Sequence, residues 1–167
     1  PATGSNYAVL FSGGYNAQNN HARYYNNIKA MYQTLVSNCG LSPSNIYVVF
    51  ADGANPGADQ NPDNGRSYVN SDMSYASRSH VLAATAANLR DTLATLANKL
   101  GSKDSFMFYS FDHGSQGSQG SQTHQELLVG WNEFITDTTM ASELQAVHAG
   151  HSTYVFAECF AGGMLED

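Results

Sequence analysis

Two short segments hold the side chains best suited to catalysis, a cysteine and a histidine that each follow an apolar run. Cys159 lies in "YVFAECFAGGM", and His113 lies 46 residues earlier in "FYSFDHGSQG". A thiol is mostly protonated at neutral pH, but a neighbouring imidazole can take its proton as the sulfur attacks a carbonyl group. Glycines beside both residues would let backbone amides approach the developing oxyanion. The two segments therefore predict nucleophilic catalysis by Cys159, with His113 as its proton-transfer partner.

Each residue also has a structural interpretation. A lone cysteine that ends an apolar strand usually packs in the core, and a lone histidine in that position usually has a structural role. Cys39 could form a disulfide with Cys159, although two cysteines are too few for a disulfide scaffold. Because both residues are flanked by glycine and each ends a strand, the pair favours catalysis, and we expect Cys159 to be a free thiol.

The elements around the pair predict an α/β fold with a mainly parallel sheet. Apolar, β-branched and aromatic runs predict four core strands, at 7–12, 46–51, 105–111 and 153–160, of which 46–51 is typical of a strand buried on both faces. Amphipathic segments predict three helices, at 20–37, at 89–100 and from an N-cap at Asp137 to Val147. Strands that alternate with helices favour parallel pairing. Active crevices of such sheets lie outside the carboxyl ends of the strands, where His113 and Cys159 both fall.

The remaining segments predict loops and one small strand. Residues 52–80 are rich in Gly, Asn, Asp and Pro without periodicity, which indicates a long loop. The repeat "GSQGSQGSQ" at 114–122 indicates a low-complexity flexible loop, and "LLVGW" at 127–131 indicates a small extra strand. No cofactor is expected, but acids of the long loop could bind Ca²⁺ through oxygen ligands, with a solvated acidic loop as the alternative. These acids are Asp52, Asp59, Asp63 and Asp72.

The two catalytic motifs together resemble those of the legumain family, closest to its bacterial legumain-like members within the caspase-like clan. "DHGSQG" is similar to the family's histidine motif and "ECFAGGM" to its cysteine motif, while "YAVLFSGG", "HARYYNNIKAMYQTL" and "TAANLRDTLATL" extend the likeness from Tyr7 to the end of the chain. Caspases also place the histidine about 50 residues before the cysteine. The resemblance implies a caspase-like three-layer sandwich with helices on both faces. It also implies a cysteine endopeptidase that cleaves after Asp or Asn through a thioester.

The resemblance assigns roles to individual residues. Cys159 corresponds to the nucleophile and His113 to the general acid and base, and the amides of Gly114 and Cys159 would form the oxyanion hole. Arg23 falls where the family keeps a specificity-pocket arginine, although from its position alone it would be a solvated cation at the start of a helix. Asp112 matches the acid that precedes the family's histidine, and a hydrogen-bonding role at the strand end is equally consistent with its position.

Two departures from the family's pattern concern the substrate pocket and the histidine. Legumains carry a glutamate two residues before the nucleophile, where this chain has Ala157. The acid has moved to Glu158, whose side chain should point to the other face of the strand. The asparagine that orients the family's histidine corresponds to His21. Because Arg23 then lacks a balancing acid, we predict a cationic pocket that prefers Asp over Asn.

Composition excludes several other classes of protein. The net charge is −7, and the seven Lys and Arg residues are scattered, so no basic face for nucleic acid is present. No apolar run approaches the roughly 18–20 residues of a membrane span. The abundance of Asn, Ser, Gly and Gln and the low content of charged residues indicate a secreted or cell-surface bacterial protein. The chain opens almost directly on a strand, so any targeting segment is expected to have been removed.

Two alternatives to hydrolysis use the same framework. A transpeptidase or ligase would resolve the thioester with an amine rather than water, and the same residues would serve it. A non-catalytic caspase-like binding module would have no reason to keep His113, Gly114 and Cys159 together, which argues against it.

The segment after the nucleophile is short for a caspase-like fold. Residues 1–167 correspond to the large-subunit part of the catalytic domain, and only eight residues follow Cys159. Without further strands the cysteine-bearing strand would be an exposed apolar edge, which natural proteins avoid. We therefore expect a C-terminal small subunit from the same precursor, and the final Asp167 is what self-cleavage by an Asp-preferring enzyme would leave.

Overall fold

A computed structural model of the chain describes residues 4–64, 66–119 and 122–165. In chain order the strands are β1 (Asn6–Ser12), β2 (Ile46–Phe50), β3 (Val81–Leu82), β4 (Ser105–Phe111), β5 (Gly114–Gln119), β6 (Gln122–Val129), β7 (Phe134–Thr136) and β8 (His151–Ala157). The helices are α1 (Ala22–Ser37), α2 (Ala86–Lys99) and α3 (Asp137–Gln145).

Five strands form a fully parallel sheet in the order β3-β2-β1-β4-β8. The predicted α/β fold with a mainly parallel sheet is confirmed. The central strands β1, β2 and β4 are buried on both faces, which explains why their sequences are continuous apolar runs rather than alternating ones. Strand β8 pairs only with β4, so its other edge is not hydrogen-bonded within the described sheet.

Alternate residues of β1 serve two separate cores, one on each face of the sheet. Ala8 and Leu10 pack with Ile28 and the rest of the buried side of α1. Val9 and Phe11 pack with the leucines of α2, such as Leu93, and with the buried side of α3. One helix therefore covers one face and two helices cover the other, which makes the fold a three-layer sandwich.

The sequence interpretation of 114–122 as a flexible loop was wrong for residues 114–119 and for Gln122, and its residues 120 and 121 lie outside the described ranges. Residues 114–119 form β5, which pairs antiparallel with β6, and β7 completes a small second sheet. Of the extra strand predicted at 127–131, residues 127–129 form the end of this longer β6, which stops at Val129. The polar repeat conceals the hairpin because its side chains lack the apolar alternation by which a half-buried strand is recognised.

Several element boundaries differ from the prediction by a few residues, and two of these differences concern the start of α3 and the end of β8. The N-cap of α3 is Thr136, whose hydroxyl accepts a hydrogen bond from the backbone amide of Thr139, so Asp137 is the first helical residue rather than the cap. Strand β8 ends at Ala157 rather than at residue 160, and Cys159 therefore lies just beyond the strand. In the described ranges, no helix combines the length and the apolar character that crossing a membrane requires.

Candidate active site

The sheet brings the predicted catalytic residues together at the carboxyl ends of its strands. In the β4–β8 ladder Phe111 pairs with Ala157, so His113 and Cys159 each lie two residues beyond the last paired position. Adjacent parallel strands are less than about 5 Å apart, and their carboxyl ends meet at one edge. The spacing of 46 residues in the chain thus becomes a neighbouring position in space.

The backbone of Cys159 lies directly against Gly114. A Cβ atom built on Gly114 would come within 1.7 Å of the Cys159 carbonyl oxygen and 2.9 Å of the Cys159 amide nitrogen. Any side chain at position 114 would therefore push the cysteine segment away. This contact gives a physical reason for glycine after the histidine, and it places the two amides proposed for the oxyanion hole on adjacent stretches of backbone.

Both cysteines are free and exposed, so the expected free thiol at Cys159 is confirmed and the Cys39–Cys159 disulfide is absent. The residue after Cys159, Phe160, has a φ of 66° and is 52% exposed. A non-glycine residue in the left-handed region is uncommon and costs free energy, and such positions cluster at functional sites. The chain thus turns sharply after Cys159 and leaves the thiol at the surface.

The imidazole of His113 lies in an aromatic and cationic setting. Its ring centroid is 5.0 Å from that of Tyr24 and 5.5 Å from that of His21, both in edge-on geometry, and the ring also hydrogen-bonds the backbone of Asn19. Burial, followed by the nearby His21 and Arg23, lowers the pKa of His113 below its ordinary value. The imidazole is therefore neutral at neutral pH, the state in which it can accept a proton.

Tyr24 contacts both Arg23 and His113. Burial is the main cause that raises the pKa of Tyr24, and the charges of Asp112 and Cys159 act in the same direction. The phenol oxygen accepts a hydrogen bond from Nη2 of Arg23 at 2.8 Å, and the guanidinium carbon lies 4.6 Å from the ring centroid. Arg23 is thus an exposed cation beside the site, but it packs on Tyr24 rather than on a carboxylate.

Asp112 does not present its carboxylate to the surface. It is only 7% exposed and accepts hydrogen bonds from the Ser12 hydroxyl at 3.1 Å, from the Gly14 amide and from the His113 amide at 2.6 Å. Burial raises its pKa to about 6 in spite of these donors. These contacts support the hydrogen-bonding role over a contact with substrate, since the carboxylate joins the end of β1 to the end of β4.

The residues at which the sequence departs from the legumain pattern occupy three different settings. Ala157 is the last residue of β8 and is partly exposed. Glu158 is directed towards β4, where its Oε2 accepts a hydrogen bond from the Ser110 hydroxyl at 2.7 Å. His21 does lie beside His113, as its alignment with the orienting asparagine implies, and its Nδ1 pairs with the carboxylate of Asp63.

Sequence reasoning missed three contacts of His113, namely those with Tyr24 and Asn19 and the indirect contact with Asp63 through His21. Tyr24 lies in the "HARY" stretch that was matched to the family, but aromatic residues at helical spacing normally indicate core packing. No pattern in the sequence links Asp63 to His21 across a long irregular loop. Its hydrogen bond from His21 is the main cause that lowers the pKa of Asp63.

No family model and no curated protein sequence matches this chain. Function therefore has to be inferred from the site itself.

In the described part of the chain, no group of three or more His, Cys, Asp or Glu side chains is arranged to hold a metal ion. Of the predicted calcium ligands, Asp63 pairs with His21 and Asp72 accepts a hydrogen bond from the Ser74 amide at 3.0 Å.

Proposed function

We propose that this chain is the catalytic part of a cysteine endopeptidase of the legumain-like, caspase-like kind. The observation that carries the proposal is the position of a neutral, half-buried His113 and a free, exposed Cys159 at adjacent strand ends, with Gly114 against the cysteine backbone. These are the parts that thiol-based acyl transfer requires: a nucleophile, a base and small backbone groups near the reacting carbonyl.

The reaction follows from these positions. His113 takes the thiol proton, and the sulfur of Cys159 bonds to the carbonyl carbon of the scissile peptide. The carbonyl electron pair moves to oxygen, where the amides of Gly114 and Cys159 stabilise the negative charge. The C–N bond then breaks, His113 returns its proton to the leaving amine, and a thioester remains. Water, deprotonated by His113, attacks the thioester and releases the acid product and the thiol.

Cleavage after Asp is favoured over cleavage after Asn. Arg23 supplies an exposed positive charge beside His113, and the position two before the nucleophile is the uncharged Ala157. Glu158 is engaged by Ser110, and Asp112 is buried under three donors. A guanidinium binds a carboxylate in a bidentate, charge-assisted manner that an amide cannot match.

Two matched peptides that differ only in Asp or Asn before the scissile bond test both the reaction and its specificity. We expect cleavage with kcat/KM at least about tenfold higher for Asp, a difference of about 1.4 kcal/mol. Cys159→Ala should abolish cleavage, and Cys39→Ser is the matched control that should not. A clear preference for Asn would refute the cationic pocket, and cleavage that persists in Cys159→Ala would refute the nucleophile.

A transpeptidase or ligase is the second candidate, because an amine can attack the same thioester. Exposure of the site to water favours hydrolysis, since Cys159 and Phe160 are both exposed. Addition of a peptide with a free amino terminus to the cleavage assay separates the two reactions. A ligated product in excess of the hydrolysed acid would favour the ligase.

We further propose that additional strands of the same precursor pair with the open edge of β8, as a small subunit would. Tyr154 on this strand is 44% exposed, and a groove of about 710 Å³ runs between β8 and α3. Its lining is mainly apolar and includes Met140, Leu144 and Phe156. An unpaired strand with apolar side chains beside it invites association, so natural proteins cover such edges.

A further inference from the structure

The long loop after β2 returns to the start of α1, close to His113. The amide Nδ2 of Asn20 donates a hydrogen bond to the backbone carbonyl of Asp59 at 2.8 Å. Asn20 and Asn61 are also joined through their backbones, at 2.8 Å, and Asn61 accepts from the Ala22 amide at 2.9 Å. These hydrogen bonds therefore hold this part of the loop against the residues that precede α1.

Three side-chain oxygens in this region are buried and have no hydrogen-bond donor among the residues that the structure describes: Oδ1 of Asn20, Oδ1 of Asp52 and Oδ2 of Asp59. Asn20 is fully buried and Asp59 is 1% exposed. The other oxygen of Asp59 does have a donor, the Ser71 amide at 2.6 Å, and Nδ2 of Asn20 is bonded to the Asp59 peptide. Buried acceptors without donors are costly and rare in folded proteins, so each of these oxygens needs a partner.

The charge in this region is also uncompensated. Burial, and then the neighbouring charge of Asp59, raise the pKa of Asp52 to about 6. Neither carboxylate forms an ion pair with Lys, Arg or His in the ranges that the structure describes. A bound cation would coordinate the oxygen acceptors that lack donors. It would also supply the counter-charge that the two acids lack.

We propose that Asn20, Asp52 and Asp59 bind a Ca²⁺ ion between the end of β2 and the start of α1. Calcium takes six to eight oxygen ligands, from carboxylates, amide and backbone carbonyls and water, in irregular geometry. Two carboxylates and one amide oxygen therefore supply part of the shell, and backbone carbonyls and water complete it. Mg²⁺ is the poorer fit, because it demands near-octahedral geometry and usually retains most of its water.

Such an ion would act on the proposed active site from outside it. Asn20 directly precedes His21, whose ring lies edge-on to His113, and Asp63 of the same loop pairs with His21. Calcium would hold the loop and the start of the helix together and so fix the position of His21. The ion itself takes no part in the transfer of protons or in the attack on the substrate.

Calcium binding can be measured on the full chain without any assay of peptidase activity. After treatment with EGTA and its removal, titration with CaCl₂ should give one site by calorimetry and a higher Tm in the presence of calcium. Asp52→Asn and Asp59→Asn should each weaken binding at least about tenfold, since each removes a charged ligand. Asp91→Asn, on the exposed surface of α2, is the matched control and should bind as the wild type does.

The stability of Asp52→Asn without calcium provides a second, independent measurement. The substitution removes a partly buried, repelled charge and keeps the shape of the side chain. Its Tm in EGTA should therefore equal or exceed that of the wild type, whereas saturating CaCl₂ should reverse the order. The proposal is overturned if the wild type shows no calcium-dependent heat or Tm shift, if Asp52→Asn binds calcium as tightly as the wild type, or if Asp91→Asn weakens binding equally.

Discussion

The two halves of the proposed catalytic pair lie in very different surroundings. His113 follows a central strand, its backbone amide is bonded to a buried carboxylate, and its ring packs against Tyr24 and His21. Cys159 follows the edge strand β8, is exposed, and precedes an exposed Phe160. The proposed base thus packs against two neighbouring rings, whereas the proposed nucleophile is exposed and its backbone lies against Gly114. Activity should therefore be most sensitive to changes at that contact.

The largest effect is expected for Gly114→Ala. The added methyl group would meet the Cys159 carbonyl oxygen at 1.7 Å, so the cysteine segment would have to move and the proposed oxyanion hole would be disrupted. Loss of an oxyanion donor typically costs about 10²–10³ in kcat, and kcat measurements on an Asp peptide check this. Gly101→Ala is the control, because a Cβ there has no neighbour closer than 4.0 Å. Equal activity of the two variants would contradict the importance of the contact.

The next largest effect is a loss of stability at the carboxylate that binds the His113 backbone. Asp112→Ala would leave the Ser12 hydroxyl and the amides of Gly14 and His113 without their acceptor, in a buried position. We expect the free energy of unfolding to fall by about 3 kcal/mol, as measured by urea denaturation. Glu158→Ala, which removes one partly buried acceptor from Ser110 on the cysteine side, should cost clearly less. A larger loss for Glu158→Ala would reverse the comparison of the two halves.

A smaller effect is expected in the dependence of kcat/KM on pH. Because the pKa of His113 is lowered, chiefly by burial and then by His21 and Arg23, the imidazole gains its proton only below its ordinary range. The acid limb of kcat/KM should accordingly lie below pH 6.5, the usual pKa of histidine. Arg23→Gln removes one positive charge, so the limb should move to higher pH. Lys29→Gln serves as the control, and an unchanged limb in Arg23→Gln would count against the electrostatic contact.

The smallest effect on the isolated chain is expected at the open edge. Tyr154→Lys alters a side chain that is 44% exposed, so the Tm should change little. The same substitution should weaken pairing of β8 with the proposed small subunit, as measured by co-purification of the two segments from a co-expressed precursor. Thr153→Lys, at a neighbouring exposed position on β8, indicates whether charge alone disrupts pairing. Undiminished pairing of Tyr154→Lys would show that this face is not the one covered.

The sequence predicted the central sheet well because burial on both faces leaves a clear pattern. The runs "YAVLFS", "IYVVF" and "SFMFYSF" have few polar residues, and each became a central strand. The proposed catalytic residues could be identified as candidates because each follows an apolar run, His113 after the central strand β4 and Cys159 after the edge strand β8. The hairpin at "GSQGSQ" could not, because strand pairing there is made by the backbone, which leaves no mark on a polar repeat.

The polar contacts around the candidate site were harder to predict than the neighbouring positions of His113 and Cys159. His21 contacts Asp63 across 42 residues, and Asn20 contacts Asp59 across 39. Each is a single polar contact made by an irregular loop, so no periodic pattern accompanies it. The difference between a partly buried histidine and an exposed cysteine also depends on the strand order, which places β8 at the edge of the sheet.

The central claim, that His113 serves Cys159, is tested most directly by comparing the two cysteines of the same molecule. Both are exposed, so the alkylation rate of each by a limiting amount of iodoacetamide, followed by peptide mass spectrometry at pH 7, reports the chemical surroundings of the thiol rather than access to it. We expect Cys159 to react at least about tenfold faster than Cys39, and His113→Ala to slow Cys159 alone. Equal rates for the two cysteines, or a Cys159 rate unaffected by His113→Ala, would contradict the account.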